Sequence, residues 1–233
     1  MTFIYGRLFK YSRYDKDKLF HYIIAILYLF IVIAIITGKI TTDKEDTKNS
    51  HPEYLSREYI YGDYLFDNRF DDAVIFPVAV SYEEEEFYYI DSYGAARTYG
   101  GDRLHEGCDI MTPDNVRGRY PVISVCDGVV ENIGWLELGG YRIGIRSEND
   151  VYYYYAHLYS YAEGIKEGDT VKAGDIIGFV GDTGYSKVEG TVGNFDVHLH
   201  FGIYVRDKEG NDKAINPYPL LKELEKKKRI YSF

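Results

Sequence analysis

The stretch Asp196-Val-His-Leu-His-Phe201 carries two of the chain's six histidines, with one residue between them. Side chains of a strand alternate faces, so His198 and His200 project to one side about 7 Å apart and Leu199 to the other. Upstream, Arg103-Leu-His-Glu-Gly-Cys-Asp109 sets His105 and Asp109 at the same parity. Gly107 between them leaves room for a close approach, and Cys108 faces away. His157 stands in a third context, Tyr155-Ala-His-Leu158. Imidazoles with one carboxylate are the ligand set of catalytic zinc, which takes three protein ligands and leaves a fourth position for water. His157 taken alone reads more readily as a hydrogen-bonded structural residue than as a ligand, but four partly buried imidazoles without a common ligand would each need a separate partner. A closed structural zinc site is the alternative. Such sites favour thiol-rich shells, and the two cysteines, Cys108 and Cys126, are not spaced as a chelating pair.

These side chains must be held by strands. After about Gly100 the chain becomes a series of short apolar runs punctuated by glycine: Val122–Cys126, Gly128–Val130, Tyr141–Arg146, Val151–Tyr155, Ile176–Val180 and His198–Val205. Runs of this length bounded by turn residues predict an antiparallel all-β domain. Only the end reads as helical: Pro219–Lys228 puts Leu220, Leu221 and Leu224 on one face, with Pro219 suited to a first turn. Tyr152 to Tyr155 are consecutive, and Tyr155 is a candidate to flank a groove.

Composition narrows the partners. With 37 acidic against 27 basic residues, and no basic block interleaved with aromatics, a nucleic-acid groove is not expected. From Leu19 to Gly38 no charged residue occurs, and about 20 helical residues span roughly 30 Å, the thickness of a hydrocarbon core. No polar face interrupts the run, which argues against a buried core helix. The apolar stretch is longer than a signal-peptide core and ends without an A-x-A-like site, so an uncleaved anchor is expected. Arg7, Lys10, Arg13, Lys16 and Lys18 precede it, which predicts a cytoplasmic N-terminus and a chain beyond Gly38 outside the cell membrane. Lys39 to Ser50 reads as a solvated stalk, and Glu83–Glu86 as a solvated loop.

At this point the sequence resembles the LytM/lysostaphin-type zinc metallopeptidases that cut cell-wall peptides. The resemblance rests on Arg103–Ile110, Pro121–Val130, Tyr155–Leu158, Val171–Gly178 with Gly181–Gly184, and His198–Phe201, which together span about residues 100–220. It implies that His105, Asp109 and His200 bind one zinc ion and that His157 and His198 form the catalytic pair. It further implies an antiparallel β core with a narrow groove, a duplicated hybrid motif, acting on peptidoglycan stem or cross-bridge peptides in a bacterial host. The organisation expected is a cytoplasmic segment at 1–18, a transmembrane anchor at 19–38, a stalk and partly ordered linker at 39–95, a metallopeptidase domain at 96–222 and a tail at 223–233. Two departures from the family's pattern are Cys108 and Cys126, which could pair as a disulfide or stay as buried thiols. A non-cutting scaffold of the same fold, binding cell wall or a partner membrane protein, is the other functional class. Such scaffolds have usually lost ligands, and here all three ligand positions and both catalytic histidines are occupied. A lipoyl-like carrier, suggested by Val171–Gly178, leaves the four histidines unexplained.

Overall fold

The computed structural model describes residues 68–80, 86–228 and 230, all within one compact unit, Tyr54–Phe233. The expected anchor at 19–38, the stalk that follows it and most of the Glu83–Glu86 run lie outside the described residues. Among the described residues no helix is long and apolar enough to cross a membrane.

The all-β expectation holds for the described residues, with one short α-helix at the end. A small hairpin, β1 (Ala96–Arg97) with β2 (Arg103–Leu104), precedes the main sheet. That sheet contains β3 (Cys108–Met111), β4 (Pro121–Ile123), β5 (Gly128–Leu136), β6 (Gly140–Ser147), β7 (Val151–Tyr161), β8 (Thr170–Val171), β9 (Ile176–Val180), β10 (His198–Arg206) and β11 (Asp212–Ile215). Its central order is β11-β10-β7-β6-β5-β8; β3 pairs with β10, and β9 pairs with both β4 and β7. Every one of these pairings is antiparallel. The glycine-bounded runs of the sequence all contribute strands, although β4 stops at Ile123, short of the expected Cys126, and β5 and β7 continue well past their expected ends. The short β8 and β11 carry too few apolar residues to announce themselves, and β3, though mostly apolar, is only four residues long.

Alternation along β10 sorts its residues. Leu199, Phe201 and Ile203 are fully buried, in a cluster with Ile110, Ile143, Ile145, Tyr153 and Tyr155. Burying each such apolar side chain stabilises the fold by about 1.5–3 kcal/mol over leaving it exposed. The even-numbered residues of β10 are thereby turned to the opposite face. The helix, α1 (Tyr218–Leu224), has Pro219 in its first turn and buries Leu220, Leu221 and Leu224, as the periodicity predicts. A separate 3-10 turn, Glu225–Lys227, takes over where one continuous helix is expected.

Residues 68–80 and 86–95 pack on this sheet. Phe70, Phe76, Val78 and Phe87 are buried in the same core, and Val78 bridges to Val122 and Tyr88 to Met111. Cys108 and Cys126 are free, buried thiols, so of the two alternatives the thiol reading holds. The Cys108 Sγ donates to the Ile90 carbonyl at 3.0 Å, and burial pushes its pKa up to about 12.

Candidate metal centre and its groove

Strand pairing alone makes Asp109 and His200 neighbours. β3 lies against β10 with Asp109 opposite His200 and Ile110 opposite Leu199; on the other flank β7 sets Ala156 opposite His200. Directly opposed residues keep their Cβ atoms within about 5 Å. His105 enters from the link between β2 and β3. The result is a tight triangle. His105 Nε2 lies 3.0 Å from Asp109 Oδ1 and 2.9 Å from His200 Nδ1, and His200 Nδ1 lies 3.0 Å from Asp109 Oδ1.

The hydrogen-bonding of these groups tests whether a cation fits. His105 Nδ1 donates to the Ser92 carbonyl at 2.9 Å, and a carbonyl only accepts, so neutral His105 presents a bare lone pair at Nε2. The Asp109 carboxylate presents only lone pairs as well. Two acceptors 3.0 Å apart repel unless a positive charge lies between them, and a proton on His200 Nδ1 can serve only one. The N, O, N donor set and its mutual spacing therefore fit a divalent cation such as zinc. Burial works against the charge of Asp109, but the bond from His200 Nδ1 and the surrounding imidazoles outweigh it and hold the carboxyl well below the usual carboxylate range. Burial also lowers the pKa of His200, partly offset by its bond to Asp109.

Gly107 clears the space for one of these rings. A Cβ there would stand 2.5 Å from His200 Cε1, 2.6 Å from His200 Nε2 and 2.7 Å from the Phe201 carbonyl oxygen. The room that the sequence suggests for an incoming group is thus occupied by the protein's own imidazole. It explains why His200 turns Nδ1 to the triangle, whereas His105 turns Nε2.

Two further imidazoles stand beside the triangle. His198 Nδ1 donates to the Asp196 carbonyl at 2.6 Å, and its Nε2 lies 3.7 Å from Asp109 Oδ1. His157 Nδ1 donates to the Thr183 carbonyl at 2.8 Å, which leaves its Nε2 lone pair unengaged in the neutral tautomer. The two rings stack edge-on with centroids 4.8 Å apart. Burial, with the neighbouring His198 and His200, pushes the pKa of His157 well below the ordinary histidine value.

His157 reaches this place through an irregular backbone. Simple alternation would put it with Tyr153 and Tyr155, which are wholly buried in the core. Instead the β6–β7 register shifts between Tyr141, opposite Leu158, and Ile143, opposite Tyr155. His157 itself adopts a left-handed φ of 62°. A bulge of this kind re-aims a side chain, and Ala156 and His157 consequently line the same groove. Tyr152 and Tyr154 line it too. Tyr155 does not: its hydroxyl accepts from the Val125 amide inside the core at 2.9 Å.

The groove has a volume of about 710 Å³. Its lining begins at Arg97, so no described residue of 68–95 lines it. One further residue at the triangle carries no spacing signal in the sequence. Arg97, on the β1–β2 hairpin, donates from Nη2 to Asp109 Oδ2 at 2.8 Å, and only the fold of that hairpin brings it there.

Comparison with known proteins bears on this geometry. The model of peptidase family M23 matches residues 103–217. An L-Ala–D-Glu endopeptidase of Bacillus subtilis (strain 168) is 45% identical over 141 residues, covering 60% of this chain and 41% of that protein. Lysostaphin of Staphylococcus simulans is 38% identical over 147 residues, covering 60% of this chain and 27% of its own length. The chain therefore spans less than half the length of either curated relative. The crystal structure of LytM from Ruminococcus gnavus superposes with a TM-score of 0.64 at 38% identity, covering 79% of each chain.

Proposed function

Because the chain belongs to the LytM/lysostaphin-type peptidases of family M23, we propose that it is a membrane-anchored zinc endopeptidase hydrolysing peptide bonds of peptidoglycan stem or cross-bridge peptides. The observation that carries this reading is the triangle of His105 Nε2, Asp109 Oδ1 and His200 Nδ1, flanked by two imidazoles and open to a peptide-sized groove. His105, Asp109 and His200 would hold the metal. Zinc bound there supplies a Lewis acid for the scissile carbonyl and lowers the pKa of the attacking water toward about 7.

The remaining work falls to side chains of this chain. His157 and His198 each anchor Nδ1–H on a backbone carbonyl, which fixes the tautomer and leaves Nε2 for the reaction. A neutral Nε2 accepts the proton of the attacking water; once protonated, it donates to the departing amine or to the oxygen that gains charge. Burial of His157 keeps it in the neutral, proton-accepting form. Each such role contributes about 10²–10⁴-fold.

The anchor rests on the uncharged run Leu19–Gly38 and the basic residues before it. In this reading residues 1–18 face the cytoplasm and the β domain faces the cell wall. Protease added to intact cells would digest the β domain and spare residues 1–18; the reverse would reject this orientation.

The activity is tested by incubating the zinc-loaded full-length chain, in detergent, with purified peptidoglycan and identifying released fragments by mass spectrometry. New peptide termini that a chelator abolishes support the endopeptidase and identify its bond. A zinc-loaded chain that releases nothing from several wall types would reject it.

A further inference from the structure

Arg97, Arg103 and Arg142 line the groove, and of these Arg103 and Arg142 take no part in the candidate metal centre. We infer that Arg142 is a receptor for a substrate carboxylate, so that the peptide bound in the groove is acidic. The inference rests on the peptide-hydrolase reading and names its substrate class.

The sheet places Arg142 in line with the site. On β6, Arg142 falls between Tyr141, opposite Leu158, and Ile143, opposite Tyr155. It therefore stands across from the bulge at Ala156 and His157, and Ala156 in turn stands opposite His200. Two strand spacings separate Arg142 from His200, about 10 Å at backbone level, and both line the groove. An extended chain covers about 3.3–3.6 Å per residue. A carboxylate meeting Arg142 thus belongs to a residue within about three positions of the scissile bond.

The other arginines nearby have partners. Arg146 meets Glu131 through Nε and Nη2, at 2.6 and 2.8 Å, and Asp212 through Nη1 and Nη2, at 3.0 and 2.8 Å. Arg97 holds Asp109, and Arg103 donates to the Tyr185 hydroxyl and the Tyr99 carbonyl. Arg142 differs. Its Nη1 is buried without a hydrogen-bond partner among the described residues, and its charge acts on the phenols of Tyr152, Tyr154 and Tyr161. A buried cationic donor left unmet is costly. A guanidinium in a groove wall of tyrosines, without a carboxylate of its own, is a built receptor for a planar anion. A glycine cross-bridge has no side-chain carboxylate to offer, whereas a stem peptide with an acidic residue does.

The test uses the zinc-loaded full-length chain in detergent with two synthetic probes, acetyl-L-Ala-D-Glu-L-Ala-amide and its D-Gln counterpart. They differ in one carboxylate against one carboxamide. Affinity is read by calorimetry, and cleavage by mass spectrometry of the same samples. The acid should be preferred by about tenfold to hundredfold, the usual worth of a charge-assisted pair. Arg142→Gln should erase that preference, Arg142→Lys should retain part of it, and both variants should keep the parent's melting temperature within a few degrees. Equal treatment of the two probes by the parent, no binding of either at millimolar concentration, or a preference that survives in Arg142→Gln would each overturn the inference. Acid-selective binding without cleavage would support the receptor while counting against the hydrolase reading, so the two can fail separately.

Discussion

Arg97 holds one oxygen of Asp109 and leaves the other to the histidines: Nη2 lies 2.8 Å from Oδ2, while Oδ1 lies 3.0 Å from both His105 Nε2 and His200 Nδ1. The guanidinium thus orients the carboxylate and fixes which lone pairs a cation would meet. Partners of this kind are typically worth 10–100-fold in metal affinity. Arg97→Ala is therefore expected to weaken zinc binding by roughly that factor, measured by competition with a chromophoric chelator. Peptide hydrolysis should recover at high zinc. An unchanged affinity would show that Asp109 keeps its orientation unaided.

Gly107→Ala should be damaging although no left-handed backbone is involved. The new Cβ would meet His200 Cε1 at 2.5 Å and the Phe201 carbonyl oxygen at 2.7 Å, and the backbone contact cannot be relieved by a rotamer change. A loss of about 1–3 kcal/mol is expected from overpacking. Denaturant unfolding measures it, and zinc affinity should fall with it as His200 is displaced.

The five site residues should separate into two classes. His200→Ala should lose metal and hydrolysis together, whereas His157→Ala and His198→Ala should keep the metal and lose about 10²–10⁴-fold in kcat. Metal content by elemental analysis beside turnover decides this. Full activity in a zinc-free His200→Ala protein would reject the ligand assignment.

Stability of the chelator-treated protein should fall on acidification. The pKa values of His157 and His200 lie below the unfolded value of about 6.5. Below that pH the unfolded chain takes up protons that the native state refuses. The stabilisation is therefore complete above about pH 6.5 and is eroded as pH falls towards the folded values, at up to roughly 1.4 kcal/mol per pH unit for each histidine. Urea midpoints between about pH 7 and 5 should show this, and His157→Gln should flatten the slope.

Cys108 and Cys126 are free and buried, and burial raises the pKa of both thiols. An aromatic disulfide reagent should react with neither in the native protein and with both after denaturation without reductant. A yield of no thiols on unfolding would indicate a bridge.

The sequence by itself determined everything that depends on local period. The one-residue gap between His198 and His200 predicts a shared face, because alternation is a property of any extended strand, and Leu199 is buried opposite them. The same logic turns Cys108 inward, makes strands of the glycine-bounded runs and places the leucines of α1. The tertiary structure decided what depends on partners far along the chain. Tyr155 has the parity of a groove residue only if β7 is numbered from His157, and the bulge between them breaks that count. The left-handed turn at His157 exists because β6 pairs with β7 out of step there, and no residue of the local sequence encodes that register. Likewise the nitrogen that His200 presents is chosen by the cleft over Gly107, the clamp on Asp109 by a hairpin twelve residues upstream, and the unmet Nη1 of Arg142 by what the described residues of other strands do not offer it. Alternation is set by bonds between neighbours; register, bulges and ion partners are set by the packing of strands against one another.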